Sequence, residues 1–270
     1  MKLANGKTKR LSLTCVFLSL FILGTILMFI VPTSVKITYG LTTQTDDGVT
    51  ISFNVFEPIN GDPIKKAIIC GHGVMDNKEW MKSFAIEFAA AGFVAVALDF
   101  RGHGLSSGEL IWNDLIKDVQ AIKDYLNNSR TDIDINNLGY IGFSMGGWPG
   151  NQIVKIDPAF KCYIGAGTIL NITRDELNPN RTLNILMLQA KYDEVFPLSR
   201  TKRSFGKLIN VSADEVVCNR LYGSFQDGNA SKLFFDDNSD HVFLPWDQDS
   251  VREARDWVMN TFPDVKPVDH

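Results

Sequence analysis

The stretch GYIGFSMGGWPG, residues 139–150, sets one polar side chain, Ser144, between strand-forming apolar residues and a cluster of glycines. Gly142 stands two residues before it, and Gly146 and Gly147 follow Met145, giving G-x-S-x-G with one extra glycine. Glycine permits close backbone approach and dihedral angles that a side chain forbids. The spacing predicts a sharp turn from a strand into a helix, with the serine hydroxyl at the apex. An ordinary tight turn satisfies the same five residues. The motif gains chemical meaning only if the chain also supplies a base, an acid and an oxyanion site in a consistent order.

A serine hydroxyl is a weak nucleophile until a neighbouring base takes its proton, and that base is commonly an imidazole held by a carboxylate. The chain has four histidines. His72 and His103 sit in glycine-rich loops and His270 is the terminal residue. His241, in DNSDHVFLP just after the apolar run of SKLFFDD, is the best-placed base. Asp193, in NILMLQAKYDEVFP, ends another apolar run and is the candidate acid; Glu194 beside it, and Asp236, Asp237 and Asp240 near His241, are weaker alternatives. The order Ser144, Asp193, His241 has intervals of 49 and 48 residues, room for one strand–helix unit in each.

The negative oxygen of a tetrahedral intermediate needs aimed N–H donors. The Met145 amide, at the start of the expected helix and favoured by its dipole, is one candidate. The Val74 amide, after Gly71-His72-Gly73, is the other. His72 is expected to brace that loop rather than react, with Gly73, Gly142 and Gly146 permitting the turns. DFRGHGLSSG, residues 99–108, matches neither G-x-x-x-x-G-K-[ST] nor G-x-G-x-x-G. Asp99 and Arg101 are expected to pair and pin this loop beside the site.

The rest of the chain reads as alternating elements. VKITYGLTTQ and VTISFNVFEP alternate about the turn TDDG and predict a β-hairpin. KAIICGHG, FVAVALDF, LGYIGF, CYIGAGTIL, LNILMLQA and SKLFFDD are short apolar runs suited to buried strands. KEWMKSFAIEFAAAG, NDLIKDVQAIKDYLNN and DSVREARDWVMNTF read as helices, the second with Leu115, Val119, Ile122 and Leu126 on one face. Strands alternating with helices imply a mostly parallel α/β sheet, whose sites form at the carboxyl ends of the strands. Residues 36–270 read as one domain. The segment between CYIGAGTIL and LNILMLQA is too short for a separate lid domain.

At the N-terminus, Leu11–Val31 is 21 residues without a charge. A helix of that length, at about 1.5 Å per residue, spans a hydrocarbon core. Lys2, Lys7, Lys9 and Arg10 precede it with no acid among them. The positive-inside rule therefore puts residues 1–10 in the cytoplasm as a basic tail, 11–31 across the membrane as a single-pass anchor, and 36–270 on the extracytoplasmic side. A cleaved signal peptide is the rival reading; the run is longer than the usual apolar region, and IVPTSVK is a poor cleavage site. The sequons at Asn127, Asn171, Asn180, Asn210 and Asn229 are compatible with a glycosylated ectodomain.

The full chain carries 27 bases and 31 acids, a net −4, and without residues 1–10 the balance is 23 to 31, a net −8. A balance this acidic disfavours a phosphate backbone as partner, so nucleic-acid binding is not expected. Of the cysteines, Cys15 lies in the anchor and Cys70 in a strand, while Cys162 and Cys218 are free to pair or not. No Cys/His cluster has metal-ligand spacing, so no metal site is expected. The sequence does not fix an oligomeric state.

GHG after one strand, DFRGHGLSSG after the next, GFSMGG at the turn, and then YDEVFP and DHVFLP, together resemble the α/β-hydrolase superfamily, in its monoglyceride-lipase-like and serine-aminopeptidase-like branch. The resemblance covers roughly residues 37–262. It implies an α/β-hydrolase fold with a minimal lid, Ser144 as nucleophile, Asp193 as orienting acid, His241 as base, Val74 and Met145 as oxyanion donors, and no cofactor. The G-F-S turn varies on the commoner G-H-S. The short segment where many members carry a helical lid counts against long-chain lipid substrates. The leading expectation is a membrane-anchored serine esterase acting on a small ester or acyl substrate through an acyl-enzyme. A peptidase, amidase or thioesterase would use the same residues, and a non-catalytic binding protein ranks last.

Overall fold

Residues 6–28, 32–177 and 181–268 are described by the computed structural model. Residues 1–5 of the basic tail, 29–31 of the apolar run, the sequon residue Asn180 and the terminal His270 lie outside them. The chain divides into two units, Met1–Thr33 and Ser34–His270. The first contains helix α1, Gly6–Met28. Its 23 residues extend about 35 Å at the α-helical rise. Among the described residues α1 is the one helix long and apolar enough to cross a membrane.

In the second unit the alternating runs at 35–58 form an antiparallel hairpin, β1 (Val35–Gln44) with β2 (Thr50–Pro58). Its turn is closed by the Gly48 amide donating to the Thr45 carbonyl at 3.0 Å. The continuous apolar runs become β3 (Lys65–Gly71), β4 (Val94–Leu98), β5 (Ile133–Phe143), β6 (Phe160–Ala166), β7 (Asn184–Tyr192) and β9 (Ser231–Asp240), with β8 (Leu221–Tyr222) a two-residue edge. The sheet order is β1-β2-β4-β3-β5-β6-β7-β9-β8. The pairs β4-β3, β3-β5, β5-β6, β6-β7 and β7-β9 are parallel. The most central runs, apolar on both faces, are buried on both: every residue of β4 is buried.

Helices α2 (Lys82–Ala90) and α6 (Gln248–Thr261) pack together, as do α3 (Leu115–Ser129) and α4 (Gly147–Ile156), while α5 (Leu198–Ile209) lies against β7 and β9. The predicted face of α3 is the buried one: Leu115, Val119, Ile122 and Leu126 all lie in the core. The segment read as a helix from Lys78 begins as a short 3₁₀ turn, Lys78–Met81, capped by Asn77 Oδ1 accepting from the Glu79 amide at 2.9 Å. β5 starts five residues before LGYIGF, because polar Asp134–Asn137 continue the strand beside β3, where Lys65 faces Ile133. Helix α5 and strand β8 were not read from the sequence. All four cysteines are unpaired; Cys162 is buried and Cys218 half-buried.

The parallel strands end on the same side of the sheet. Gly71, Leu98, Phe143, Ala166, Tyr192 and Asp240 are each followed by one of the glycine-rich or polar loops that build the site.

Candidate active site

The turn after β5 is strained where a hydroxyl is presented. Ser144 has φ of 48°, one of three non-glycine residues with positive φ among those described; the other two are asparagines, Asn210 and Asn219. The left-handed region disfavours a residue such as serine, so the surroundings must impose it. Packing around the two flanking glycines does so. A Cβ on Gly142 would stand 2.3 Å from the Gly146 carbonyl oxygen, and one on Gly146 would stand 2.4 Å from the Gly71 carbonyl oxygen. From beneath, the buried hydroxyls of Tyr140 and Tyr163 donate to the carbonyls of Gly146 at 2.7 Å and Gly147 at 3.1 Å. Burial raises the pKa of both phenols, which keeps them protonated donors.

The residues nominated as nucleophile, acid and base meet. His241 Nε2 lies 3.0 Å from Ser144 Oγ, and His241 Nδ1 lies 2.9 Å from Asp193 Oδ2. The other oxygen of Asp193 accepts from the amides of Val195 at 2.9 Å and Phe196 at 2.7 Å, so the carboxylate is fixed by its own turn. Carboxylate acceptance fixes the tautomer: Nδ1–H donates to Asp193, and the Nε2 lone pair faces the serine hydroxyl. The imidazole packs between the rings of Phe143, at 5.2 Å, and Phe196, at 5.6 Å. Both acid and base are buried, and Ser144 is half-buried.

His72 is hydrogen-bonded at both ring nitrogens to backbone of the loops after β3 and β4. Its Nε2 accepts from the Phe100 amide at 3.0 Å, and its Nδ1 lies 2.6 Å from the Gly73 carbonyl oxygen, so the proton sits on Nδ1. Burial lowers its pKa to about 4. The Val74 amide has no hydrogen-bond partner among the described residues, and Val74 lines the cleft over Ser144 and Met145. His103 Nε2 sits 2.7 Å from the Val74 carbonyl oxygen and links the loops after β3 and β4. Asp76 tucks its half-buried carboxyl under Gly73, and burial raises its pKa.

Asp99 and Arg101 do not pair. Asp99 holds both the amide and the Nζ of Lys78, and accepts from the Leu105 amide at 2.8 Å. Arg101 donates from Nε to Asp118 at 2.8 Å and from NH1 to Asp47 at 2.9 Å. Lys78 and Asp118 are buried too. An Asp99–Arg101 pair would leave both without a counter-charge, a heavier cost than two separate pairs. The loop is pinned beside the site, but by partners far away in sequence.

The cleft above Ser144 has a volume of about 600 Å³. The segment after β6, Thr168–Thr173, forms one wall. Trp112 and Trp148, edge to face at 6.3 Å, and Arg200, Arg203 and Lys207 of α5 also line it. The sequence reading passed over these residues, and also Tyr140, Tyr163, Phe143 and Phe196. For α5 the available signal was the spacing of Leu198, Phe205 and Leu208. For the rings there was none beyond their place in strands and turns.

Comparison with known proteins adds a family. The sequence profile of the family described as "Serine aminopeptidase, S33" matches residues 62–215. A monoacylglycerol lipase of Mycolicibacterium smegmatis is 29% identical over 135 residues, 46% of this chain and 48% of that protein. The "Alpha/beta hydrolase domain-containing protein WAV2" of Arabidopsis thaliana is 41% identical over 61 residues, 23% of this chain and 20% of its own. This chain thus spans about half, or less, of the length of these curated relatives. Among solved structures, a Pyrococcus furiosus esterase superposes with a TM-score of 0.63 over 83% of this chain and 92% of its own, at 14% identity. At that identity the likeness speaks for the α/β-hydrolase fold alone.

Proposed function

The chain belongs to the serine aminopeptidase S33 family of α/β hydrolases, and from that premise we propose that it is a membrane-anchored serine esterase. The observation that carries the reading is the strained Ser144, with Oγ 3.0 Å from His241 Nε2 and His241 held by Asp193. In the proposed reaction His241 takes the Ser144 proton as Oγ adds to the ester carbonyl. The oxyanion accepts from the Val74 and Met145 amides. His241 returns the proton to the departing alkoxide and leaves an acyl-serine. Water, deprotonated by the same imidazole, then releases the acid and restores Ser144. No step requires a metal or cofactor.

The cleft favours an ester over an aminopeptidase substrate. A free substrate amine needs a carboxylate to grip it, and the charged residues lining the cleft among those described are Arg200, Arg203 and Lys207, all cations. In this reading α1 and its neighbours are the anchor, residues 1–10 lie in the cytoplasm, and the hydrolase domain, 36–270, stands outside the membrane.

Ser144→Ala tests the reading. It should reduce 4-nitrophenyl butyrate turnover by about 10⁴-fold or more and abolish labelling by a fluorophosphonate probe. Undiminished hydrolysis by a folded Ser144→Ala variant overturns it.

A further inference from the structure

Helix α5 brings a stripe of cations to the same cleft. Arg200, Arg203 and Lys207 stand three and four residues apart, the spacing of one helix face, and all three line the opening onto Ser144. None of the three pairs with an acid among the described residues. Many bases elsewhere on this unit, among them Lys65, Lys66, Lys117, Lys123, Arg130, Lys155 and Lys232, bridge to carboxylates. Lys82, Lys161, Lys191 and Arg220 do not among the described residues, but they do not line the cleft, where three unpaired cations gather. With 31 acids against 27 bases in the chain, unpaired cations gathered at the substrate's entrance run against the overall charge. Arg200 is also positioned. Its guanidinium lies over the Phe196 ring at 5.6 Å, and that ring packs against His241. Trp112, Trp148 and Ile169 give the cleft an apolar part as well.

We propose that the cleft takes amphiphilic esters whose polar end carries a phosphate or carboxylate, with that anion held by Arg200, Arg203 and Lys207 and the apolar end against Trp112 and Trp148. The inference rests on the esterase reading of the same cleft. Guanidinium groups suit it because they give two parallel donors to a planar or tetrahedral oxyanion.

The test uses the full chain in non-ionic detergent with water-soluble matched esters. 4-Nitrophenyl butyrate is compared with mono-4-nitrophenyl glutarate, which puts the anion on the acyl side. Monobutyrylglycerol is compared with its phosphate, which puts it on the alcohol side. At least one anionic ester should exceed its neutral twin in kcat/KM by about tenfold, mainly through KM, since tenfold corresponds to about 1.4 kcal/mol of binding. Raising ionic strength from about 0.02 to 0.5 M should shrink that ratio, because exposed charges are screened. The triple variant Arg200→Gln, Arg203→Gln, Lys207→Gln should bring it close to one; should that variant unfold, the salt dependence of the unaltered protein decides.

Equal use of neutral and anionic twins overturns the proposal. So does a ratio that survives in the folded triple variant, or a rate enhancement seen with anionic vesicles and not with the soluble anionic esters. Failure of the esterase reading itself looks different: no ester is hydrolysed and no fluorophosphonate label appears.

Discussion

At Ser144 the chain spends conformational energy to aim one oxygen. A left-handed non-glycine residue costs on the order of 1–3 kcal/mol, so the turn must be held by contacts that leave no alternative. Gly142 is the most confined of them. Gly142→Ala would drive a methyl group to within 2.3 Å of the Gly146 carbonyl oxygen, backbone that cannot yield without opening the turn. We expect a loss of about 2–3 kcal/mol in unfolding free energy together with loss of ester turnover, read by denaturant melts and 4-nitrophenyl butyrate assays of the same preparation. His72 makes a pH prediction. Its folded pKa of about 4 lies below the ordinary 6.5, so on acidification the unfolded ring takes a proton first. The associated stability is complete above pH 6.5 and is lost as pH falls toward 4. The shift corresponds to roughly 3 kcal/mol. In His72→Gln the fall in unfolding free energy between pH 7 and 4 should be smaller by about that amount; an unchanged slope would show that the ring is not the titrating group.

Loops become rigid elements through charges that meet across long sequence separations. Arg101 reaches the hairpin turn at Asp47 and helix α3 at Asp118, and Lys78 reaches Asp99, so the loops after β3 and β4 are tied to the body of the sheet. Removing one member of a buried pair strands the other. Asp99→Asn, which leaves buried Lys78 with no carboxylate, should therefore destabilise by about 3 kcal/mol or more, whereas Asp249→Asn, in the exposed pair with Arg252, should stay within about 0.5 kcal/mol. Similar losses in the two variants, by chemical denaturation, would refute the distinction. The same geometry marks what sequence could and could not disclose. Apolar runs ending in Gly or Asp announced the strands and put Ser144, Asp193 and His241 at strand ends, because backbone pattern is local. The partners of Asp99 and Arg101 were misassigned because proximity of two residues in sequence says nothing about which buried charge lies opposite. Helix α5 went unread because Gly206 interrupts it and four of its twelve residues are Arg or Lys, leaving a thin apolar stripe.

At the scale of the whole molecule, the proposed anchoring assigns the two units different surroundings. Leu11, Phe17 and Phe21 of α1 are more than half exposed, and none of its apolar span is covered by the described residues. In water such surface costs roughly 25 cal/mol per Å², a cost that the proposed anchoring would remove. The Ser34–His270 unit contains the complete sheet, its buried core and the cleft. The units should therefore separate cleanly. The full chain is expected to sediment with membranes and resist alkaline carbonate extraction, while residues 34–270 alone should be soluble and keep kcat/KM on 4-nitrophenyl butyrate within about threefold, because no residue assigned to the chemistry lies before His72. Two results would break this account. A full chain recovered from the soluble fraction with a new terminus near residue 35 would make the apolar run a cleaved leader, and residues 34–270 that remain on membranes would place the attachment in the hydrolase unit itself.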